Sequence, residues 1–88
     1  MRLDKFLKIA GIVKRRTVAK DLSDAGRIEV DGRPGKAALE VRAGQRLRLD
    51  LGRKRVTYEI LLVPAGSVAK EARETVVRLV SEEIDPNW

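Results

Sequence analysis

Residues 14–32 read KRRTVAKDLSDAGRIEVDG, from Lys14 to Gly32, and the change of period inside this stretch decides the fold. Val18, Ala19, Leu22 and Ala25 recur at helical spacing and stop at Gly26, a residue suited to the left-handed position just past a helix end. After Gly26 the period becomes two. Ile28 and Val30 point one way, Arg27 and Glu29 the other, and Asp31-Gly32 is a strong signal for a two-residue hairpin turn. A short amphipathic helix therefore runs into a half-buried antiparallel strand with only one residue between them.

Upstream, Leu3, Phe6, Leu7 and Ala10 stand at i, i+3, i+4 and i+7, which predicts a first helix ending near Gly11. Arg2, Lys5 and Lys8 fall off its apolar stripe. Asp4 lies near the positive end of the helix dipole and is within i+4 reach of Lys8. Downstream, Pro34 and Gly35 interrupt pairing and predict a short edge segment. Leu47, Leu49 and Leu51 alternate with charged residues, and Val56, Tyr58 and Ile60 alternate again after a turn at Gly52–Lys54. Two more antiparallel strands follow from this pattern. Pro64-Ala65-Gly66 then breaks the chain. Ser67 reads as the cap of a last helix running to about Glu83, with Ala69, Ala72, Val76, Leu79 and Val80 as its stripe. The expected architecture is α+β: two N-terminal helices packed on a small bent, mostly antiparallel sheet, with a domain at 1–63 and a hinge and helical tail at 64–88.

Composition removes most chemistry. In 88 residues there is no His and no Cys, so imidazole bases, thiol nucleophiles, disulfides and Cys/His zinc sites are excluded together. Asp21 and Asp24 share a helix face but read as solvated carboxylates. The Ser67-to-Lys70 spacing falls where a helix cap is expected, and Gly32–Lys36 lacks the spacing of a phosphate loop. No metal, cofactor or catalytic residue is expected. Phe6, Tyr58 and Trp88 are the only aromatic rings, and the first two fit core stripes, which argues against base stacking as the mode of recognition. No apolar run approaches the roughly 20 residues a bilayer demands, and no signal peptide is legible, so the expectation is a cytoplasmic chain without a membrane partner, monomeric as far as its pattern indicates.

The charge is uneven. Residues 1–55 hold 16 cations against 7 anions, net +9, whereas 56–88 hold 3 against 6, net −3. A local excess of this size addresses a polyanion. Its sharpest feature is Lys14-Arg15-Arg16 at the start of the second helix. Cations there oppose the helix dipole by a few tenths of a kcal/mol each, about 0.3 or more, and a bound phosphate reverses that sign. Lys14, Arg15, Arg16 and the Thr17 hydroxyl thus form a phosphate-receiving corner.

The run RLDKFL, the helix-opening KRRT with VAKDL, then GRIEVDG and VRAGQRLRL, in this order and spacing, resembles the S4-type, or alpha-L, RNA-binding domain over Met1 to about Leu51. The resemblance implies a surface that grips structured RNA. Carried over by position, it implies RNA contacts from Arg2, Lys5, Lys8, Lys14, Arg15, Arg16, Thr17 and Lys20 on the helices and Arg27 at the first strand. One departure is Arg15, which stands where many members place a Ser as helix cap.

Among stand-alone members, the opening MRLDKFLK and the short tail resemble the factors of ribosome-associated quality control that stabilise peptidyl-tRNA in the P site. That implies partners in the large ribosomal subunit, its 23S rRNA and peptidyl-tRNA, acting with an RqcH-type factor that tails stalled chains with alanine. Recycling factors of the heat-shock protein 15 type, and RNA-positioning modules of modifying enzymes, are the alternatives.

Overall fold

The computed structural model describes residues 1–87, and Trp88 lies outside the described residues. Two short helices come first, α1 (Leu3–Ile9) and α2 (Arg16–Asp24). Five strands follow: β1 (Ile28–Val30), β2 (Arg33–Pro34), β3 (Arg46–Asp50), β4 (Lys54–Ile60) and β5 (Val77–Ile84), with a 3-10 helix at Lys70–Thr75 before the last. They form one antiparallel sheet in the order β2-β1-β3-β4-β5. The α+β architecture with two helices on an antiparallel sheet is as the sequence predicts.

Both helices end as their glycines suggest. Gly11 (φ 77°) and Gly26 (φ 72°) occupy the left-handed position. The Gly11 and Ile12 N–H groups donate back to Lys8 and Leu7, and those of Gly26 and Arg27 to Ser23 and Leu22, which is the paired Schellman bonding that satisfies the last carbonyls. Asp31 (φ 51°) and Gly32 (φ 79°) form the two-residue turn between β1 and β2, and the Asp31 carboxylate accepts the Arg46 N–H at 3.0 Å. β2 is two residues long and ends at Pro34, on the sheet edge where a missing donor is tolerated.

The α1 stripe is fully buried at Leu3, Phe6 and Leu7, over Ile28, Leu47, Leu49, Val56 and Ile60 of the sheet. Side chains of this size contribute about 1.5–3 kcal/mol each on burial. α2 buries less. Ala19 is inside, but Val18 is 42% exposed and Ala25 is also exposed, so two of the four expected stripe residues face outward. The inward face of α2 is Ala19, Leu22 and Ser23, whose hydroxyl donates to the Gly35 carbonyl at 2.6 Å. The segment after β2 crosses the start of α1. Its Leu39 and Ala37 carbonyls accept the Leu3 and Asp4 N–H groups at 2.8 and 3.1 Å, which closes the α1 N-terminus within the fold.

The C-terminal helix expected from Ser67 to Glu83 is corrected by the structure: only a 3-10 turn forms, capped at Ala69, and the rest is β5. Val76, Leu79 and Val80 fit an i, i+3, i+4 helical stripe, but Val76, Val77 and Val80 are β-branched, and β4 offers an edge to pair with. Pairing brings opposite charges together, Arg78 with Glu59 and Lys54 with Glu82. Between Tyr58, which pairs with Leu79, and Thr57, which pairs with Ser81, the register shifts and leaves Val80 as a bulge. The sheet thus runs across the expected boundary at 63/64, and Val76 enters the core at 1% exposure.

Candidate nucleic-acid interface

The N-terminus of α2 is built as the sequence suggests. Arg15 is the N-cap residue, extended at φ −139° and ψ 148°, and provides no side-chain cap; the first turn holds no acidic residue. Val18 and Ala19 N–H groups both turn back to the Arg15 carbonyl. The departure from the Ser cap therefore leaves this helix end uncapped. Lys14, Arg15, Thr17 and Lys20 are exposed around it, and Lys5 and Lys8 are exposed on the outer face of α1.

Arg2 and Arg16 stand differently. Asp4 is 5% exposed, the only charged residue in the core among the described residues. Arg2 forks onto both its oxygens through Nε and Nη2 at 3.2 and 3.3 Å, Arg16 Nη2 reaches both at 3.2 and 3.3 Å, and the Lys5 N–H donates at 2.8 Å. Burial pushes the Asp4 carboxyl upward, but the Arg16 hydrogen bond, the Lys5 N–H and the charges of Arg16 and Arg2 outweigh it and hold the group below its ordinary value. The Asp4–Lys8 pair expected from spacing does not form among the described residues; Asp4 points inward and its ion pairs are to the two arginines. The side chains of Arg2 and Arg16 remain about half exposed, at 51% and 44%. Each guanidinium thus carries a structural pairing and a solvent-facing edge.

The strand registers sort the remaining charge. On the outward face of the sheet, Glu29 stands opposite Arg48, Arg46 opposite Glu59, Glu59 opposite Arg78, and Asp50 opposite Arg55, which is opposite Glu83. Hydrogen bonding from Arg78 holds the Glu59 carboxyl low against the opposing effect of burial, aided by the charges of Arg78 and Arg46. These cross-strand positions of the face match four cations with four anions. Arg27 lies there, in a depression of about 190 Å³ with Glu29, Arg48, Asp50 and Arg55, apart from the other expected contacts. Residues 1–26, which carry α1, α2 and the turn between them, hold seven cations against three anions, a net +4.

A groove of about 290 Å³ gathers Lys5, Lys8 and Ile9 of α1, Arg16 of α2, Ser67 and Val68 of the linker, and Arg73 of the 3-10 helix. Arg73 was not among the residues expected from sequence; its one signal is that it is a cation inside the acidic tail.

The S4 domain family profile matches residues 1–47. The chain is 45% identical over 83 residues to the RQC P-site tRNA stabilizing factor of Halalkalibacterium halodurans, covering 94% of this chain and 93% of the relative. It is 38% identical to the Bacillus subtilis protein of the same name, covering 96% and 98%. The chain belongs to the RQC P-site tRNA stabilizing factor family of S4-domain proteins. The fold of this S4-domain protein is shared by the solution structure of the hypothetical protein HP1423 (TM-score 0.80, 34% identity, 94% and 100% covered). It is also shared by heat shock protein 15 of Vibrio cholerae (TM-score 0.83, 23% identity, 92% and 82% covered). The S4 match takes in α1, α2, β1 and β2 and reaches into β3, so Arg73 and β5 lie beyond it.

Proposed function

We propose that this S4-domain protein is a non-catalytic RNA-binding factor of ribosome-associated quality control. It binds obstructed large ribosomal subunits through 23S rRNA and peptidyl-tRNA, and holds the P-site tRNA while an RqcH-type factor adds C-terminal alanines. The single observation that carries the RNA-binding part is the sorting of charge. On the sheet face most cations stand opposite an acid across the strands, whereas Lys14, Arg15 and Lys20 around the uncapped end of α2 and Lys5 and Lys8 on the outer side of α1 have no ion-pair partner among the described residues. The names of the relatives support the quality-control setting.

On this reading Lys5, Lys8, Lys14, Arg15, Thr17 and Lys20, with the exposed edges of Arg2 and Arg16, meet phosphates, and Arg27 contacts RNA from the sheet side. The chain has no imidazole or thiol, so its contribution is to hold RNA in place.

Purified protein mixed with tRNA-bearing large subunits should co-sediment with them. If about six phosphates are neutralised, log K against log salt should fall with a slope of about −4 to −5. A flat salt response, or equal retention by vacant and tRNA-bearing subunits, contradicts the proposal.

A further inference from the structure

We propose that the groove between α1 and the 3-10 helix is a phosphate-binding site completed by Arg73, a residue beyond the S4 match. The inference rests on the RNA-binding reading and deepens it by naming one subsite and a cation from the tail as part of it.

Three observations converge. All four charged residues lining the groove, Lys5, Lys8, Arg16 and Arg73, are cations, and no carboxylate lines it. The nearest acid by bonding is Asp4, which is buried and already engaged by Arg2, Arg16 and the Lys5 N–H. Gathering like charges in one depression is unfavourable, and an anion seated among them reverses the sign.

The second observation is that Arg73 packs closely on Gly11. Its guanidinium lies against Gly11: a Cβ on that residue would stand 2.6 Å from Nη1 and 2.7 Å from Cζ. Gly11 has φ 77° and no side chain, so the backbone leaves the room the guanidinium occupies.

The third observation is a missing partner. Arg73 Nε is buried and has no hydrogen-bond acceptor, the one side-chain polar atom so placed among the described residues. A charged donor withdrawn from water without an acceptor is costly, and because Arg73 as a whole is only half-buried and lines the groove, a ligand there meets the other donors of the same guanidinium. A phosphate oxygen is the acceptor that suits a guanidinium flanked by lysines, and the exposed Ser67 provides a neutral donor at the rim. The phosphate comes either from an RNA backbone or from a free phosphate group.

The test uses the full chain labelled with 15N. Titration with inorganic phosphate, at ionic strength held constant with chloride, should move the Arg73 Nε–H and Gly11 amide resonances saturably. In parallel, Arg73→Met keeps an apolar stem on Gly11 and removes the charge; it should make the salt slope of tRNA binding shallower by about 0.7 to 0.9. Arg78→Met, on β5 and paired with Glu59, is the control and should leave the slope unchanged. Phosphate-dependent shifts with the shallower slope support the site and identify an RNA phosphate as its occupant. The same shifts with an unchanged slope support the site and identify a free phosphate.

Resonances that follow ionic strength alone, together with an unchanged slope, overturn the proposal while leaving the RNA-binding reading intact. If the chain binds no tRNA at all, that reading fails, and the phosphate titration still decides the site.

Discussion

Arg16 Nη2 donates to both carboxylate oxygens of Asp4, at 3.2 and 3.3 Å, and so ties the first residue of α2 to the buried first turn of α1. The residue with the strongest sequence argument for touching phosphate is also a strut between the two helices. Arg16→Ala should therefore lower stability by about 0.5–1.5 kcal/mol, a value kept small by its 44% exposure and by the Arg2 fork that Asp4 retains. Urea denaturation checks this, and the double variant with Asp4→Ala should lose less than the two single losses added together.

The same carboxylate sets an acid limb. Asp4 has a pKa below its ordinary value of 3.8, so its contribution is fully present above that value and is lost as pH falls through the lower folded one. Stability of the native chain should fall across this window more steeply than that of Asp4→Asn, which has no carboxylate to protonate. Denaturant midpoints measured between pH 6 and pH 2 test it; parallel curves would contradict it.

The charge layout predicts a contrast in RNA binding. Replacing Lys14 and Arg15 together by Ala should make the salt slope shallower by roughly 1.4 to 1.8, with the thermal melt unchanged or slightly raised, because both are exposed, neither makes an ion pair among the described residues, and both oppose the α2 dipole. Arg48→Ala, opposite Glu29 on the sheet, should change it little. Fluorescence anisotropy with tRNA across a salt series separates the two outcomes.

Gly11 and Gly26 share a conformation and differ in surroundings. Gly26→Ala meets nothing within 4 Å and should cost about 1–2 kcal/mol for the left-handed backbone alone. Gly11→Ala must also displace the Arg73 guanidinium, the end of a flexible side chain, and should cost slightly more. In an Arg73→Ala background the two substitutions should become equal, as measured by chemical denaturation.

Val76→Ala should cost roughly 2 kcal/mol, since the side chain is 1% exposed beside the start of β5. A value near zero in urea would place this residue outside the core.

Local pattern carried most of the fold. Gly11, Gly26 and Asp31-Gly32 act within a few residues of themselves, and Leu47, Leu49, Val56 and Ile60 alternate because the sheet has one covered face. The tail was misread because Val76, Leu79 and Val80 fit helical spacing as well as they fit a strand with a bulge. Only the open edge of β4, which is distant in sequence, decides between them. The site was legible to the same extent. The uncapped start of α2 follows from Lys14-Arg15-Arg16 themselves, whereas the partners of Asp4 and the arrival of Arg73 at Gly11 are tertiary contacts with no local trace.

The Leu39 and Ala37 carbonyls that receive the first N–H groups of α1 bear on how the molecule acquires its shape. Helices of seven and nine residues are too short to persist alone in water. Residues 1–26, made as a peptide, should therefore remain largely unstructured. The first turn of α1 is completed only by chain synthesised some 35 residues later, and the Arg73 contact requires the tail as well. The cationic corner accordingly depends on the strands beneath it, and the groove at Arg73 depends on the tail as well.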